Sequence, residues 1–231
     1  FSKNNMTRQL IPLFICAVMI PVISIGAIVG GSTYRRTVAH YEDLAGSQSR
    51  LVHSAIVSTS IYLHSIYENV ANSAKLQDLL CTDDPGFDSM FVTAELSDLF
   101  EKSLTNTAML TTLRLYVPAS LTEHIEPNKY ILPLTEEAAG SRWYQKAREI
   151  SGNFWISDIR TGQNDVNYWE LYYCCRIPIP RKNTYGVLVM SVSNDYLRNL
   201  ISNKNYQIYM NVNEEPVFLS SNRSFAGEEF P

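Results

Sequence analysis

Aromatic side chains are concentrated in the second half of the chain, where they suggest a pocket for a small solute. Eight of them lie between residues 143 and 173. Their rings offer stacking area, their phenols offer hydrogen-bond donors, and charged side chains nearby offer direction. We therefore predict a ligand-binding site made of Arg142, Trp143, Tyr144, Trp155, Asp158, Tyr168, Tyr172 and Arg176. The expected ligand is a small neutral or weakly polar solute.

A long predicted strand, residues 167–177, divides part of this stretch between two faces. Successive side chains of a strand point to opposite sides of the sheet. One face carries Trp169, Leu171, Tyr173, Cys175 and Ile177, and the other carries Tyr168, Glu170, Tyr172, Cys174 and Arg176. The first set is typical of a core. The second mixes phenols with one acid and one base, which suits a pocket or, alternatively, a solvated outer face.

Catalytic chemistry is not indicated. The sequence has no nucleophile-elbow, zinc-protease, P-loop or dinucleotide-binding motif. No histidine follows position 124, so the acids Asp158, Asp165 and Glu170 have no histidine after them to complete a base–nucleophile pair. The four cysteines, at positions 16, 81, 174 and 175, lack zinc-site spacing. Whether Cys81 pairs with Cys174 or Cys175 stays open. We expect no catalytic residue, cofactor or metal here.

The element that precedes this region is an apolar segment, residues 10–31, which contains no charged residue. As a helix, its 22 residues are about 33 Å long, enough to cross a hydrocarbon core of ~30 Å. A cleaved signal peptide is the alternative, although its apolar core usually has only about 7–15 residues. We predict a transmembrane helix. Basic residues are balanced on its two sides, so charge does not fix its orientation.

The segment after the apolar run predicts a long helix over residues 32–82. An apolar stripe recurs at helical spacing in it, formed by Leu44, Leu51, Ala55, Tyr62, Ile66 and Val70. Gly26 and Gly30 form a G-x-x-x-G step, which allows two membrane helices to approach closely but is also common by chance. We predict a homodimer that uses these two glycines.

The remaining pattern predicts an α+β fold. A helix over residues 88–105 would bury Phe91, Leu96, Leu99, Phe100 and Leu104. Strands are predicted at 111–117, 130–134, 167–177 and 185–193, helices at 141–150 and 195–202, and a hairpin at 206–212 and 217–220. Asn194 or Asp195 would cap the helix at 195–202. Strands and helices in this order favour an antiparallel sheet with helices on one side.

Composition excludes some partners. The chain has 19 Lys and Arg against 23 Asp and Glu, a net charge of −4, and no basic run. A nucleic-acid partner is therefore not expected. An aromatic fraction of 11% suits a folded domain. The partners that we expect are a small molecule, such as a sugar, the membrane and a second copy of the chain.

Four short motifs resemble those of a sensor family. They are S-R-W-Y-Q-K-A at 141–147, F-W-I-S-D at 154–158, C-R-I-P-I at 175–179 and G-V-L-V-M-S-V-S at 186–193. Together with the two helical segments, they resemble the extracytoplasmic double Cache region of YesM-like sensor histidine kinases. The resemblance implies two PAS-like lobes along the long helix, a ligand in the distal lobe, and a cytoplasmic kinase beyond a second membrane helix.

The resemblance also implies domain boundaries. A cytoplasmic segment would occupy residues 1–9, followed by the membrane helix (10–31), the stalk helix (32–82), the distal lobe (83–204) and the truncated start of a proximal lobe (205–231). Two departures from the amino-acid-binding members are visible. Ser141 stands at the usual arginine position and Ser191 at the usual aspartate. These differences argue against an amino-acid ligand and leave sugars open.

Other functions remain open. The same ectodomain could belong to a transmembrane AraC-type regulator or to a chemoreceptor. A membrane-anchored structural or adhesive surface protein is an alternative from a different class. Sequence motifs of an output domain would separate these possibilities.

Overall fold

The structure is a computed structural model. It describes the backbone of residues 3–81, 88–123, 125, 128–161, 167–200, 207–212 and 215–220. Side chains are described for residues 14–15, 17–81, 90–123, 125, 128–158 and 170–200. The chain divides into two compact units, residues 1–50 and 51–231.

The described residues of the first unit are helical. Helix α1 (Lys3–Ala71) begins here and continues into the second unit. Its apolar side chains around Ile20 and Ile28 are exposed to the surroundings. Within the described residues, this is the one helix that is long and apolar enough to cross a membrane. Length and composition alone do not distinguish an anchor from a signal sequence.

In the second unit, two helices replace the end of the predicted stalk helix. Helix α1 ends at Ala71, and helix α2 (Ala74–Cys81) follows. The Ser73 hydroxyl accepts a hydrogen bond from the Leu76 amide at 3.3 Å, and the Ser73 carbonyl accepts one from the Gln77 amide at 3.1 Å. Serine favours such a capping position because its side chain satisfies an amide that lacks a helical partner. The helix predicted to run to residue 82 is therefore interrupted.

Helix α3 (Asp88–Thr105) has the predicted bounds. Leu96 and Phe100 are buried, and Leu99 and Leu104 pack against the core. Phe91, which was predicted to be buried, is 59% exposed. The reason is spacing, because five residues along a helix correspond to about 140° around its axis, so Phe91 points away from the direction of Leu96.

Five strands form a mixed sheet in the order β2-β1-β5-β4-β3. The strands are β1 (Leu110–Val117), β2 (Ile131–Pro133), β3 (Asn153–Thr161), β4 (Asn167–Ile179) and β5 (Thr184–Val192). The predicted α+β class is confirmed. The sheet is antiparallel as predicted except at one edge, where β1 and β2 are parallel. Residues 118–130 connect them, long enough for the crossover that parallel neighbours require. Strand β3 is an additional element that the pattern did not predict.

Short elements complete the unit. Helices α4 (Glu136–Gly140) and α5 (Arg142–Glu149) lie between β2 and β3 in the chain, and helix α6 (Asn194–Asn199) follows β5. Short 3₁₀ helices lie at Ala119–Leu121 and Pro180–Lys182. The predicted hairpin is present in the backbone as β6 (Gln207–Val212) and β7 (Glu215–Ser220). The cap of α6 is Ser193, whose hydroxyl accepts from the Tyr196 amide at 3.3 Å, and not Asn194 or Asp195 as predicted.

The two faces of the sheet belong to separate apolar clusters. One face, which we call the inner face, packs against side chains of helices α1, α2 and α3. The opposite face, which we call the α5 face, packs against side chains of helix α5. Inner-face members include Leu113, Leu115, Trp155, Leu171, Tyr173, Cys175, Ile177, Leu188 and Met190. The α5 face holds Trp143, Ala147, Phe154, Ile156, Tyr172, Cys174, Val187 and Val189.

Two local features position the centre of the sheet. The register between β1 and β5 shifts between Leu110 and Thr112, and Thr111 is exposed at this irregularity. Gly186 lies where β5 approaches β1 closely. An added Cβ there would lie 2.9 Å from Val117 Cγ1 and 3.0 Å from the Tyr116 carbonyl oxygen. A side chain at Gly186 would therefore push the two strands apart.

Candidate ligand-binding site

Trp143 is a packing residue of the α5 face. Helix α5 buries Trp143 and Ala147, which are one turn apart, while Arg148 and Glu149 are exposed. Trp143 is only 6% exposed. Its ring centroid lies 4.8 Å from that of Tyr116 and 5.9 Å from that of Tyr144, the latter edge-to-face. The contacts of Trp143 are those of a small apolar core. Its role in ligand binding stays a prediction.

Trp155 lies on the opposite side of the sheet from Trp143. Along β3, Phe154 and Ile156 join the α5 face, and Trp155 points into the inner core beside Tyr173 at 4.9 Å between ring centroids. Alternation along a strand forces this division. The structure therefore does not bring Trp143 and Trp155 together in one pocket.

The predicted charged residues have local partners. Arg142 donates from Nη1 to the Ser157 carbonyl at 2.8 Å, which fastens α5 to β3. Asp158 is half-buried and stands opposite Glu170 in the register of β3 and β4. The Arg176 guanidinium lies 3.9 Å from the centre of the Tyr185 ring, a cation–π geometry. The structure spreads these three charges along the α5 face.

The predicted site contains three tyrosines, Tyr144, Tyr168 and Tyr172. Burial raises the pKa of the Tyr144 hydroxyl, and the nearby Tyr185 hydroxyl raises it further. The Tyr144 phenol therefore stays protonated. Tyr172 is buried in the α5 face and hydrogen-bonds to Glu170. The backbone of Tyr168 pairs with Arg160, but its side chain lies outside the described residues.

A polar network lies on the α5 face beyond its apolar cluster. The Glu170 carboxylate accepts from the Tyr172 hydroxyl through one oxygen and from the Ser191 hydroxyl, at 2.5 Å, through the other. The Thr111 hydroxyl donates to Ser191 Oγ at 3.0 Å. Ser191 is fully buried and Glu170 is half-buried. Hydroxyl donors therefore fix the orientation of a carboxylate, because charge-assisted hydrogen bonds are stronger than neutral ones.

This carboxylate lines a cavity of about 480 Å³. The cavity lies where the start of β1, the start of β4, the end of β5 and helix α6 meet. Its lining residues are Thr111, Thr112, Glu170, Val192, Ser193, Asn194, Asp195 and Arg198. The volume is in the range that small-molecule sites usually have, roughly 300–1,000 Å³. Its position is distinct from that of Trp143, which packs among the apolar side chains of the α5 face.

The polar groups of the cavity lining can bind a polar solute. Arg198 Nη1 lies 3.3 Å from the Asp195 carboxylate, and the other polar groups are hydroxyls, an amide and the Glu170 carboxylate. In the part of the chain that the structure describes, no group of three His, Cys, Asp or Glu side chains is arranged to hold a metal ion. These groups can orient a polar solute through hydrogen bonds and charge.

Cys174 and Cys175 are not candidates for nucleophiles. Cys81, Cys174 and Cys175 carry no disulfide in the structure. Cys174 points to the α5 face and Cys175 to the inner face. Burial raises the pKa of both thiols, so they remain protonated and act as small apolar side chains.

Helix α6 connects the cavity wall to helix α1. Four lining residues belong to α6 or to its cap, and Tyr196 lies between them in sequence. The Tyr196 hydroxyl is 3.0 Å from Thr59 Oγ1, and Thr59 is fully buried in α1. Thr59 already donates its only hydroxyl hydrogen to the Ala55 carbonyl at 2.8 Å, so Tyr196 is the donor in the pair.

Sequence reasoning missed most of the cavity. Glu170 is the one lining residue that the sequence pattern placed on a possible pocket face, whereas Asn194 and Asp195 were predicted only as helix caps. The signal that was available was the polar pair Thr111-Thr112 and the polar run Ser193-Asn194-Asp195, each at the end of a strand. They meet only because β1 and β5 are antiparallel neighbours.

The comparisons with known proteins do not identify a family. No family model matches the chain, and no curated protein matches its sequence. Among solved structures, the chain is similar to a domain of a sensory box/GGDEF family protein from Vibrio parahaemolyticus. The identity is 13%, the TM-score is 0.48, and the match covers 68% of this chain and 62% of that one. The chain thus spans less than two thirds of that domain.

Proposed function

We propose that this chain is the ligand-sensing region of a membrane-anchored signalling receptor, and that the cavity beside α6 is its ligand site. The observation that carries the proposal is the connection between the cavity and helix α1. Residues of α6 line the cavity, and Tyr196 of the same helix bonds to Thr59 of α1. The N-terminal part of α1 is the apolar segment that can span a membrane.

The proposed mechanism is a shift between conformations. A solute that contacts Ser193, Asn194 or Arg198 stabilises one position of α6. Because Tyr196 is bonded to Thr59, that position favours one arrangement of the core around α1. A ligand shifts such an equilibrium only by its differential affinity for the two states. Ligand contacts to α6 supply that difference.

We further propose that the receptor is a two-component sensor histidine kinase with an extracytoplasmic double Cache region. The motifs at 141–147, 154–158, 175–179 and 186–193 support this identification, as do the α+β fold and the long helix after the apolar segment. An AraC-type regulator or a chemoreceptor would use the same sensing region with another output.

The topology is tested by a reporter fusion. Alkaline phosphatase fused after Pro231 should be active in cells, because the proposed sensing unit lies outside the cytoplasm. A fusion of a cytoplasmic reporter at the same position should be inactive. Activity of the cytoplasmic reporter instead would overturn the proposed orientation.

We propose that the chain forms a homodimer through the apolar part of α1. Apart from the adjoining residues and the nearby backbone of the helix itself, a Cβ added to Gly26 or Gly30 would meet no atom of the described residues within 4 Å, so both positions leave room for a second helix. Gly26→Leu with Gly30→Leu should weaken self-association in a membrane two-hybrid assay and leave the stability of the second unit unchanged. Gly31→Leu, which is equally open within the chain, is the control. Unchanged self-association in the double variant would refute this interface.

The ligand site is tested by a thermal-shift screen of sugars, amines and carboxylates on the full chain in detergent micelles. At a hundredfold excess over Kd, a bound solute should raise Tm by about 5 °C or more. Asn194→Trp places an indole in the cavity and should abolish the shift. Asn199→Trp, on an exposed position of the same helix, should retain it. A shift that survives Asn194→Trp, or the absence of any shift in the parent protein, contradicts the proposal.

A further inference from the structure

We infer that, in the second unit, the side of helix α1 that faces away from the inner core packs against α1 of a second copy of the chain. This inference rests on the proposed function, in which anchored copies form a homodimer, and it adds a contact within the second unit. The surface, which we call the outer seam, is formed by Leu51, Ser54, Ser58, Ile61 and Ser65.

The outer seam has the spacing of a helix-packing stripe. Its members follow one another after three or four residues, which is the seven-residue repeat with which two helices interdigitate. All five are exposed, with Leu51 at 63% and Ile61 at 67%. The opposite side of the same helix joins the inner core through Val52, Ile56, Leu63, Ile66 and Val70. Helix α1 therefore has a second stripe, with two large apolar side chains, that lies outside the core.

The outer seam is also free of charge. From Leu51 to Tyr67 the sequence has no Asp, Glu, Lys or Arg, although a surface helix normally carries charged residues on its outward side. Two copies anchored by the same end of α1 in one membrane run parallel, so across a two-fold axis each seam residue faces its own counterpart. A charged residue would then meet a like charge. An uncharged seam is what self-pairing requires, which favours a second copy as the occupant.

The serines of the seam suit a close contact between helices. Their small side chains leave room for the large side chains of a facing helix. The Ser65 hydroxyl donates to the Tyr62 carbonyl of the same helix at 2.7 Å, so covering it does not leave that donor without a partner. The seam is about 21 Å long, and a strip one helix wide is smaller than the ~800 Å² per partner of a typical stable complex. The contact therefore forms between copies that one membrane holds close together.

Disulfide crosslinking of the full chain in membranes tests the outer seam. Ser58→Cys, in a background of Cys16→Ala and Cys81→Ala, should give an oxidised product of twice the mass of the chain. Facing residues of two packed helices have Cα atoms roughly 5 Å apart, a distance that a disulfide spans. His53→Cys is the matched control, because it is exposed on the same helix but lies about 140° around the axis from Ser58. Its two Cα atoms would be roughly 12 Å apart, and it should give no such product.

A charge introduced into the seam provides the second measurement. Ile61→Glu in the Ser58→Cys protein should reduce the crosslinked fraction about fivefold or more, because two carboxylates then face each other. His53→Glu in the same protein should leave the fraction unchanged. Thermal unfolding of each variant checks that the second unit is folded, which is expected because all these positions are exposed. If Ser58→Cys is unstable, Ser54→Cys on the same seam replaces it.

The outcomes separate the outer seam from the proposed homodimer. Equal crosslinking at Ser58 and His53, or a crosslinked fraction that Ile61→Glu does not reduce, overturns the seam. A product of another mass would mean that a different protein covers this surface, and also overturns it. Absence of any product, while Gly26→Leu with Gly30→Leu still weakens self-association, overturns the seam and leaves the homodimer intact. Absence of both effects refutes the homodimer as well.

Discussion

The two faces of the central sheet differ in how far their apolar character extends. The inner face is apolar along the strands, from Leu113 and Leu115 through Leu188 and Met190. The α5 face is apolar only as far as Tyr172 and its neighbours, and the next side chains on it belong to the polar network. The inner face thus maintains the fold, whereas the α5 face combines a small core with a polar end.

This difference has a physical consequence for function. A fully apolar face packs to crystal-like density and leaves little space for a solute. A polar end cannot be covered in the same way, because buried polar groups need partners. Hydroxyls satisfy Glu170, and the space around it stays open as the cavity. Substitutions of inner-face residues outside the cavity lining, such as Leu188, should therefore change stability without removing a group from the cavity.

The largest effect is expected from truncating a residue of the inner face. Leu188→Ala should lower the free energy of unfolding by about 3 kcal/mol, because Leu188 is fully buried and its loss leaves a void. Val189→Ala, the next residue on the same strand but on the α5 face, should cost about 2 kcal/mol at most. Chemical denaturation of both variants provides the comparison. A larger loss for Val189→Ala would mean that the α5 face dominates stability.

A smaller loss of stability is expected from a substitution in strand β5. Gly186→Ala should lower stability by about 1–3 kcal/mol, because its Cβ would overlap Val117 and the Tyr116 carbonyl. Gly152→Ala is the control, since nothing lies within 4 Å of a Cβ added there. Thermal unfolding of the two variants is the measurement. Equal Tm values would show that β1 can move away without loss.

The smallest effect on stability is expected at the polar end of the α5 face. Ser191→Ala removes one hydrogen bond to Glu170 and should cost about 1 kcal/mol. Val192→Ala, next to it but on the inner core, should cost about 2 kcal/mol. The reverse order in chemical denaturation would place the polar network among the main stabilising elements.

The sequence predicted those parts of the fold that have a strong local period. Helix α3 and strands β4 and β5 were predicted nearly to the residue, because their apolar positions recur at helical or strand spacing. Strand β3 was missed because Phe154, Trp155 and Ile156 form a continuous apolar run, buried on both faces, which has no alternation to read.

The site was less predictable than the fold because it depends on strand order. Thr111 and Ser191 are 80 residues apart in sequence, and their hydroxyls meet only through the pairing of β1 with β5. The prediction grouped Trp143 with Trp155, but alternation along β3 points Trp155 into the inner face, whereas Trp143 of helix α5 packs on the opposite face. A chemical grouping in sequence is therefore not a spatial grouping until the sheet topology is known.

The most direct test of the account is amide hydrogen exchange of the full chain in detergent, with and without the strongest solute from the thermal-shift screen. The account predicts increased protection in three segments: the start of β1 around Thr112, helix α6, and the turn of α1 around Thr59. In Tyr196→Phe the first two should remain protected and the third should lose its response, because the bond to Thr59 is gone. Protection confined to α5 around Trp143, with none in α6, would contradict the account and would place the ligand site at the aromatic residues around Trp143.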